Sequence, residues 1–285
     1  MNTPSLEHLS LAKLLGSVTS WYELIDCTDA LERTPLPFQI SVFGHAIGQA
    51  ETAQTKDFLR IQMARAILKA NPTEWTQAGV LGECSARFAM AGGRKGTEVV
   101  DFIATETYTC TPEQKVRAFD RARSVPVAGS LAYAALQTRY YRLAMETTPP
   151  DSKDPLENFA HKFGHWTVIS GQQERLSDST IIARVVDFPA FTTGTERLEI
   201  LHGAIYAQDH NPAILEQLKV FFYSLTLAQN PADRDAQEKL HHAQAAVRKI
   251  LNPVDRPFTN AGAFLNALAA HMPSGTPTTP QPATV

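Results

Sequence analysis

The apolar residues of the stretch 194–253 recur at intervals of three and four, in three segments that are separated by Asn-Pro pairs. In the middle segment, 212–229, Ile214, Leu218 and Phe221 follow this spacing, which places them on one face of an α-helix. Further apolar residues widen that face, so we expect the middle helix to be nearly surrounded by protein. The segment after it has a narrow apolar face among many charged residues, which predicts an outer helix.

A cap residue followed by proline marks most of the predicted helix starts. An Asn, Thr or Asp side chain can accept a hydrogen bond from an amide of the first helical turn, and a proline in that turn loses no hydrogen bond. Where a Glu or Gln lies three residues after the cap, the spacing is that of a capping box. The predicted caps are Thr3, Asn71, Thr111, Asp154, Asn211, Asn230 and Asn252, and those with a capping-box partner are Asn71, Thr111 and Asp154. The distances between the starts are unequal, so the pattern does not define a strict repeat.

Two segments are compatible with either a helix or a strand. Residues 38–47 mix β-branched and aromatic side chains with glycine, and we favour a helix there because nearly every other segment is helical. Residues 178–191 have β-branched character but would equally suit a short helix that ends at Pro189. The sequence leaves this second choice open.

Together these patterns predict an all-α protein of about ten to twelve helices, arranged as a multi-helix bundle or an irregular α-solenoid. A polar, proline-rich connector near Pro149 divides the chain into an N-terminal helical lobe, 1–148, and a C-terminal helical lobe, 149–273. A single continuous helical domain is the alternative. A last helix is predicted in 258–271, and the Pro/Thr-rich tail 274–285 is predicted to be disordered.

Composition places the chain among globular proteins and narrows its expected environment. Its 285 residues are 44% hydrophobic, which is enough for a sizeable core. The formal net charge of −3 disfavours general nucleic-acid binding by phosphate neutralisation. Cys27, Cys84 and Cys110 are too widely spaced for a disulfide framework or a structural zinc site. Without a signal-peptide pattern or a long apolar run, we expect a cytoplasmic protein without membrane insertion. Export by a machine that ignores classical signals is the open alternative.

The strongest candidate for chemistry is the set Glu157, His161 and His165, whose spacing of four stacks a carboxylate and two imidazoles on one helical face. Two histidines in this relation can share a metal ion, and the carboxylate one turn earlier could supply a third ligand. The set lacks the H-E-x-x-H order of helical zinc proteases, and we identify no Glu-x-x-His pairs on other helices, which four-helix di-iron proteins use. In the structural alternative, Glu157 caps the helix and the histidines flank an aromatic core contact.

A second candidate is a glycine-rich loop that contains Gly92, Gly93, Arg94, Lys95, Gly96 and Thr97. Its amides, its two cations and the start of the following helix could hold a phosphate or another anion. The residue order is not that of a Walker A loop. We favour the structural alternative, in which the glycines end one helix, Thr97 caps the next and the cations are solvated.

The most basic stretch of the chain, Arg117–Arg142, offers a conceivable nucleic-acid surface. Arg117 and Arg121 lie one helical turn apart, and Tyr140 and Tyr141 follow. Acidic residues interrupt the stretch, so we interpret it as an ordinary solvated face. Nucleic acid is therefore not the expected partner.

These observations favour a protein-interaction role, as an adaptor, a chaperone-like accessory factor or a bacterial effector, because stacked helices present extended binding surfaces. Another protein is the expected partner, and no cofactor is expected. The first alternative is an α-helical enzyme with a metal or acid/base site around Glu157, His161 and His165. The second is nucleic-acid binding through Arg117–Arg142. No motif is specific enough to assign the chain to a family.

Overall fold

The computed structural model describes residues 6–18, 21–147, 155–207 and 211–251, and the regular structure in these ranges is entirely helical. The thirteen helices are α1 (Leu6–Ser17), α2 (Trp21–Leu31), α3 (Leu36–Gln49), α4 (Ala53–Ala70), α5 (Trp75–Ala91), α6 (Thr97–Glu106), α7 (Pro112–Ala122), α8 (Leu131–Thr147), α9 (Leu156–Gln173), α10 (Asp178–Val186), α11 (Gly194–Tyr206), α12 (Pro212–Gln229) and α13 (Arg234–Leu251). The all-α prediction is confirmed, with one helix more than the upper end of the expected number. The helix favoured for 38–47 is α3, and α10 settles the open choice in 178–191 as a helix.

Two of the predicted caps form as expected. Thr111 Oγ1 accepts a hydrogen bond from the Gln114 amide, and Gln114 Oε1 accepts one from the Thr111 amide, so α7 begins with the predicted capping box. Asn211 Oδ1 accepts hydrogen bonds from the amides of Ala213 and Ile214 at the start of α12. Both caps satisfy amides that have no partner within the helix.

Two other predicted starts are wrong, because the asparagine ends the preceding helix and a turn follows it. Asn71 is the C-terminal cap of α4, and α5 begins only at Trp75. Asn230 likewise ends α12, while α13 begins at Arg234 after Asp233. In both places the Asn-Pro pair stops one helix without starting the next.

Several predictions lie outside the described residues. These are the caps at Thr3, Asp154 and Asn252, the connector near Pro149, the helix in 258–271 and the tail 274–285. Among the helices that the structure does describe, not one combines the length and the apolar character that crossing a membrane requires.

The main contacts join helices that are one or two places apart in the chain. Helix α3 packs on α1 and α4, α4 on α5, and α5 on α6 and α7. Helix α8 packs on α6, α7 and α9, and α9 packs on α10 and α11. Helix α12 packs on α10, α11 and α13. The C-terminal half therefore continues the stack that the N-terminal half begins.

Three hydrophobic clusters lie along this stack. The first surrounds Leu15 in α1–α4, and the second surrounds Leu81 between α4 and α5. The largest extends from α5 to α12 and contains both Leu136 of α8 and Ile200 of α11. The apolar core is thus continuous across Pro149, and the division into two lobes stays a prediction.

The charged helix α13 lies outside, as predicted. The middle helix of the 194–253 stretch, α12, is less enclosed than predicted. Helix α13 packs on α12, and its Ala236 and Ala243 are buried. On α12 Ile214 and Leu218 are buried, but the residues of its last two turns, including Phe222, are partly or fully exposed. Because α12 lies near the end of the stack, no complete layer of helices covers it within the described ranges.

Candidate functional site at the crossing of two helices

Helix α9 carries all three residues of the predicted Glu157, His161 and His165 set. Its inner face is apolar, and Phe159 and Phe163 are buried there in the largest hydrophobic cluster. His161 and His165 lie at the edge of this face and are partly buried, while Glu157 is exposed. The two histidines therefore lie at the surface beside α11, and not in the packed core.

Helices α9 and α11 approach closely because a glycine of each one meets the backbone of the other. A Cβ atom at Gly164 would overlap the carbonyl oxygen of Ile200, and a Cβ atom at Gly203 would overlap the carbonyl oxygen of His161. Any larger residue would have to push the helices apart. The backbone of His161 is thereby held directly against α11.

His161, Glu199 and His202 form a compact group across this crossing. His161 Nδ1 lies 3.5 Å from Glu199 Oε2, and His202 Nδ1 lies 3.8 Å from the same oxygen. One ligand atom of each residue lies within 4.8 Å of the other two. Their side chains are 29%, 36% and 58% exposed, respectively, so solvent and solutes can reach the group.

The structure brings only one of the three predicted site residues into this group. The ring of His165 contacts Trp166 and Tyr206 instead, with centroid distances of 5.2 and 6.1 Å. Burial lowers the pKa of His165, and the neighbouring His161 lowers it further. Glu157 lies one turn before His161 and remains at the exposed start of the helix. His161 is thus combined with residues of α11 and not with its neighbours on α9.

The residues that the sequence analysis missed have recognisable local patterns. Glu199 and His202 are a Glu-x-x-His pair, so the statement that other helices lack such a pair is wrong for α11, and Glu238 and His241 show that it is also wrong for α13. This spacing places both side chains of a pair on one face of the helix. Thr193 and Glu196 form a capping box at the start of α11, and their T-x-x-E pattern could also have been recognised.

Aromatic rings form a continuous row on the surface around this group, which we name the aromatic strip. Its eight members are Tyr133 of α8, His161, His165 and Trp166 of α9, His202 and Tyr206 of α11, and Phe222 and Tyr223 of α12. The centroids of contacting rings lie 5.1 to 6.3 Å apart. Tyr206 near the centre is 67% exposed and His202 is also exposed, whereas the other six residues are partly buried.

In the glycine-rich loop, a carboxylate of the protein occupies one of the amides that an anion could use. Glu98 Oε2 accepts a hydrogen bond of 3.1 Å from the amide of Lys95. The guanidinium of Arg94 lies 4.5 Å from the centroid of an aromatic ring on α6. Gly96 is the N-terminal cap of α6, so the expectation that Thr97 caps this helix is wrong. The loop connects α5 and α6, and its role as an anion site stays a prediction.

Ion pairs within the protein engage much of the basic stretch Arg117–Arg142. Arg121 pairs with Glu83 at 2.9 Å, and Arg123 pairs with Asp120 at 2.8 Å. Tyr140 is buried, and the guanidinium of Arg123 lies over its ring, 4.0 Å from the centroid. These groups therefore do not form an open surface on which bases could stack.

Comparison of the chain with protein-family models, with curated proteins and with solved structures found no match. The aromatic strip and the His161–Glu199–His202 group are the features of the described residues that bear on function.

Proposed function

We propose that the protein binds another protein through the aromatic strip, in the manner of an adaptor, an accessory factor or an effector. The observation that carries this proposal is the row of eight contacting rings, of which two are exposed and six are partly buried. Aromatic residues are enriched in protein interfaces. Tyr206 and Trp166 are of the residue types that most often anchor a protein partner.

The chemistry of the strip favours an extended, proline-containing segment of the partner. Its ring faces offer flat apolar contacts, and the hydroxyl groups of Tyr133, Tyr206 and Tyr223 and the indole N–H of Trp166 are hydrogen-bond donors at the ring edges. A polyproline-like segment presents pyrrolidine rings together with carbonyl oxygens that have no partner within the segment. Such segments dock on aromatic surfaces through both features.

The position of the strip in the fold supports a rigid binding surface. The strip runs across α8, α9, α11 and α12, which are successive neighbours in the stack. A partner segment would therefore lie across the helices and contact several of them at once. Because the rings are held on packed helices, little side-chain ordering would oppose binding.

Site-specific photo-crosslinking tests the proposal. A benzoylphenylalanine is introduced at position 206 of the full chain, and at position 108 as a matched control. Tyr108 follows the end of α6 and is 79% exposed, but it does not belong to the strip. We expect position 206 to give an adduct with one partner protein, cross-linked at a proline-containing peptide, and position 108 to give little of it.

Substitutions elsewhere in the strip separate specific docking from random collision. Trp166→Ala and, independently, Tyr223→Ala should each lower the adduct yield at position 206 by at least about fivefold, because an aromatic anchor is worth more than 1 kcal/mol. Circular dichroism verifies that each variant is folded. Equal yields at positions 206 and 108, or a yield at 206 that neither substitution changes, would contradict the proposal.

A further inference from the structure

We infer that His161, Glu199 and His202 bind a divalent transition-metal ion, for which zinc is the best match. Two imidazoles and one carboxylate are the protein ligands of a common type of zinc site, which leaves a further position for water or another ligand. The inference does not rest on the proposed protein-binding role. It departs from the sequence-based expectation of no cofactor and from the ligand set with Glu157 and His165.

The distances within the group suit a small metal ion. Zinc lies about 2.0 to 2.2 Å from nitrogen and oxygen ligands, so two ligand atoms of a tetrahedral site are about 3.4 Å apart. The separation of 3.5 Å between His161 Nδ1 and Glu199 Oε2 already matches this value, and the 3.8 Å of His202 Nδ1 is near it. The widest pair lies within 4.8 Å and has to close by roughly an ångström. His202 is 58% exposed, so its ring has room for that rotation.

The contacts among the three groups are weak enough for a cation to replace them. Both Nδ1 atoms lie near one oxygen of Glu199, at 3.5 and 3.8 Å, and these distances are too long for strong hydrogen bonds. The carboxylate therefore does not hold either imidazole tightly. A cation at the centre would gain all three ligands while no strong contact is lost.

The crossing of α9 and α11 supplies the rigidity that a metal site requires. Glu199 and His202 project from one face of α11, and the contact between Gly203 and the carbonyl of His161 fixes the backbone of the third ligand beside them. Ligands that project from packed helices hold their geometry better than ligands on loops. Only side-chain rotations are needed to complete the site.

The ligand types distinguish zinc-like ions from calcium and magnesium. Imidazole nitrogen suits zinc, copper, nickel and iron, whereas calcium and magnesium prefer sites built from oxygen. The group supplies two imidazoles and one carboxylate. A large excess of magnesium or calcium should therefore not displace zinc.

Metal titration of the full chain, purified without a histidine tag, tests this inference. We expect calorimetry to show one Zn²⁺ per chain, and Co²⁺ to give visible absorption bands typical of a low-coordinate site with nitrogen ligands. Glu199→Gln and His202→Ala should each weaken Zn²⁺ binding by at least about tenfold and abolish the Co²⁺ bands. Both side chains are partly or largely exposed, so the fold should persist, which circular dichroism verifies.

Three control variants make the result specific. Glu157→Gln and His165→Ala remove the other members of the ligand set predicted from the sequence, and His242→Ala removes an exposed histidine of α13. All three should bind Zn²⁺ as the unaltered chain does. The inference is overturned if the unaltered chain binds no Zn²⁺, if Glu199→Gln and His202→Ala leave the affinity unchanged, or if Glu157→Gln and His165→Ala reduce it equally.

Discussion

Asp57 on α4 is only 6% exposed, and its carboxylate is paired with an arginine of the next helix. Arg87 Nε and Nη2 donate hydrogen bonds of 3.1 Å to the two carboxylate oxygens. Arg87 also donates to Glu83 at 2.6 Å, and Glu83 accepts a hydrogen bond of 2.9 Å from Arg121 of α7. This chain of ion pairs connects α4, α5 and α7.

Replacement of the buried carboxylate should be costly. Asp57→Ala leaves a partly buried guanidinium without its bidentate partner, so we expect the free energy of unfolding to fall by about 2 to 3 kcal/mol. Urea denaturation measures the change. Asp29→Ala, at an exposed position of α2, is the control and should have no measurable effect. Equal effects of the two substitutions would contradict the assigned importance of the Asp57–Arg87 pair.

Glu106 on α6 is a mostly buried carboxyl group with an unfavourable environment. Its Oε2 has no hydrogen-bond partner and lies 3.7 Å from Arg65 Nη1. Burial raises the pKa of Glu106, although Arg65 and Arg94 oppose the change. Because the pKa in the folded state exceeds that in the unfolded state, stability is lost as the pH rises from the ordinary carboxyl range through the raised value.

Glu106→Gln should remove this pH-dependent loss. We expect the variant to have a higher melting temperature than the unaltered chain at neutral pH, with a smaller difference below the ordinary carboxyl pKa range, where Glu106 is protonated in both states. Thermal unfolding of both proteins, at neutral pH and at a pH below the ordinary carboxyl pKa range, measures this difference in melting temperature. Glu238→Gln, at an exposed position of α13, should show no such pH dependence. A difference that is the same at both pH values would refute the assignment to Glu106.

At the scale of helices, the α9–α11 crossing depends on glycine. We expect Gly203→Ala to lower the free energy of unfolding by about 2 kcal/mol or more, because the added methyl group would overlap the carbonyl oxygen of His161. Gly44→Ala is the matched control: it lies within α3, and its Cβ would meet only Met63 Sδ at an ordinary contact distance of 3.9 Å. That variant should gain up to about 1 kcal/mol from helix propensity.

Chemical denaturation compares the two glycine variants under the same conditions. If Gly203→Ala were as stable as Gly44→Ala, helices α9 and α11 would not approach each other as closely as described.

The helix boundaries indicate how far local sequence rules extend. In the Asn-Pro pairs at 71, 211 and 230 each asparagine lies outside the α-helical region, with φ of −137°, −122° and −138°. Proline disfavours the α-helical conformation in the residue before it, so the sequence predicts correctly each time that no helix continues through the asparagine. Only Asn211 caps a new helix at once, since Asn71 and Asn230 are followed by a turn. Whether a helix restarts depends on where the next helix packs, which local rules do not include.

The candidate site was predictable only in part, for a related reason. The local spacing of His161 and His165 predicts a site at His161, and Glu199 and His202 have an equally local spacing. Their combination with His161 is not local, because it follows from the packing of α9 on α11. Gly203, which permits this approach, has no distinguishing feature in the sequence beyond being a glycine within a helix.

At the scale of the whole molecule, the continuity of the core bears on the predicted lobes. The largest hydrophobic cluster contains buried residues on both sides of Pro149, including Leu136 and Phe163. Helix α8, before that point, packs on α9, after it. We therefore expect one cooperative transition in calorimetric unfolding of the full chain. Two separate transitions would favour the division into lobes 1–148 and 149–273.

The glycine contacts between α9 and α11 also restrict how this stack can deform. Helices that meet through long side chains can shear past each other by about one or two ångströms during a conformational change. At Gly164 and Gly203 backbone meets backbone, and no deformable layer of side chains separates the two helices. Shear motions should therefore occur elsewhere in the stack. The rings of α9 and α11 then move as one body, and an incoming molecule would meet a preformed arrangement that does not have to be assembled on contact.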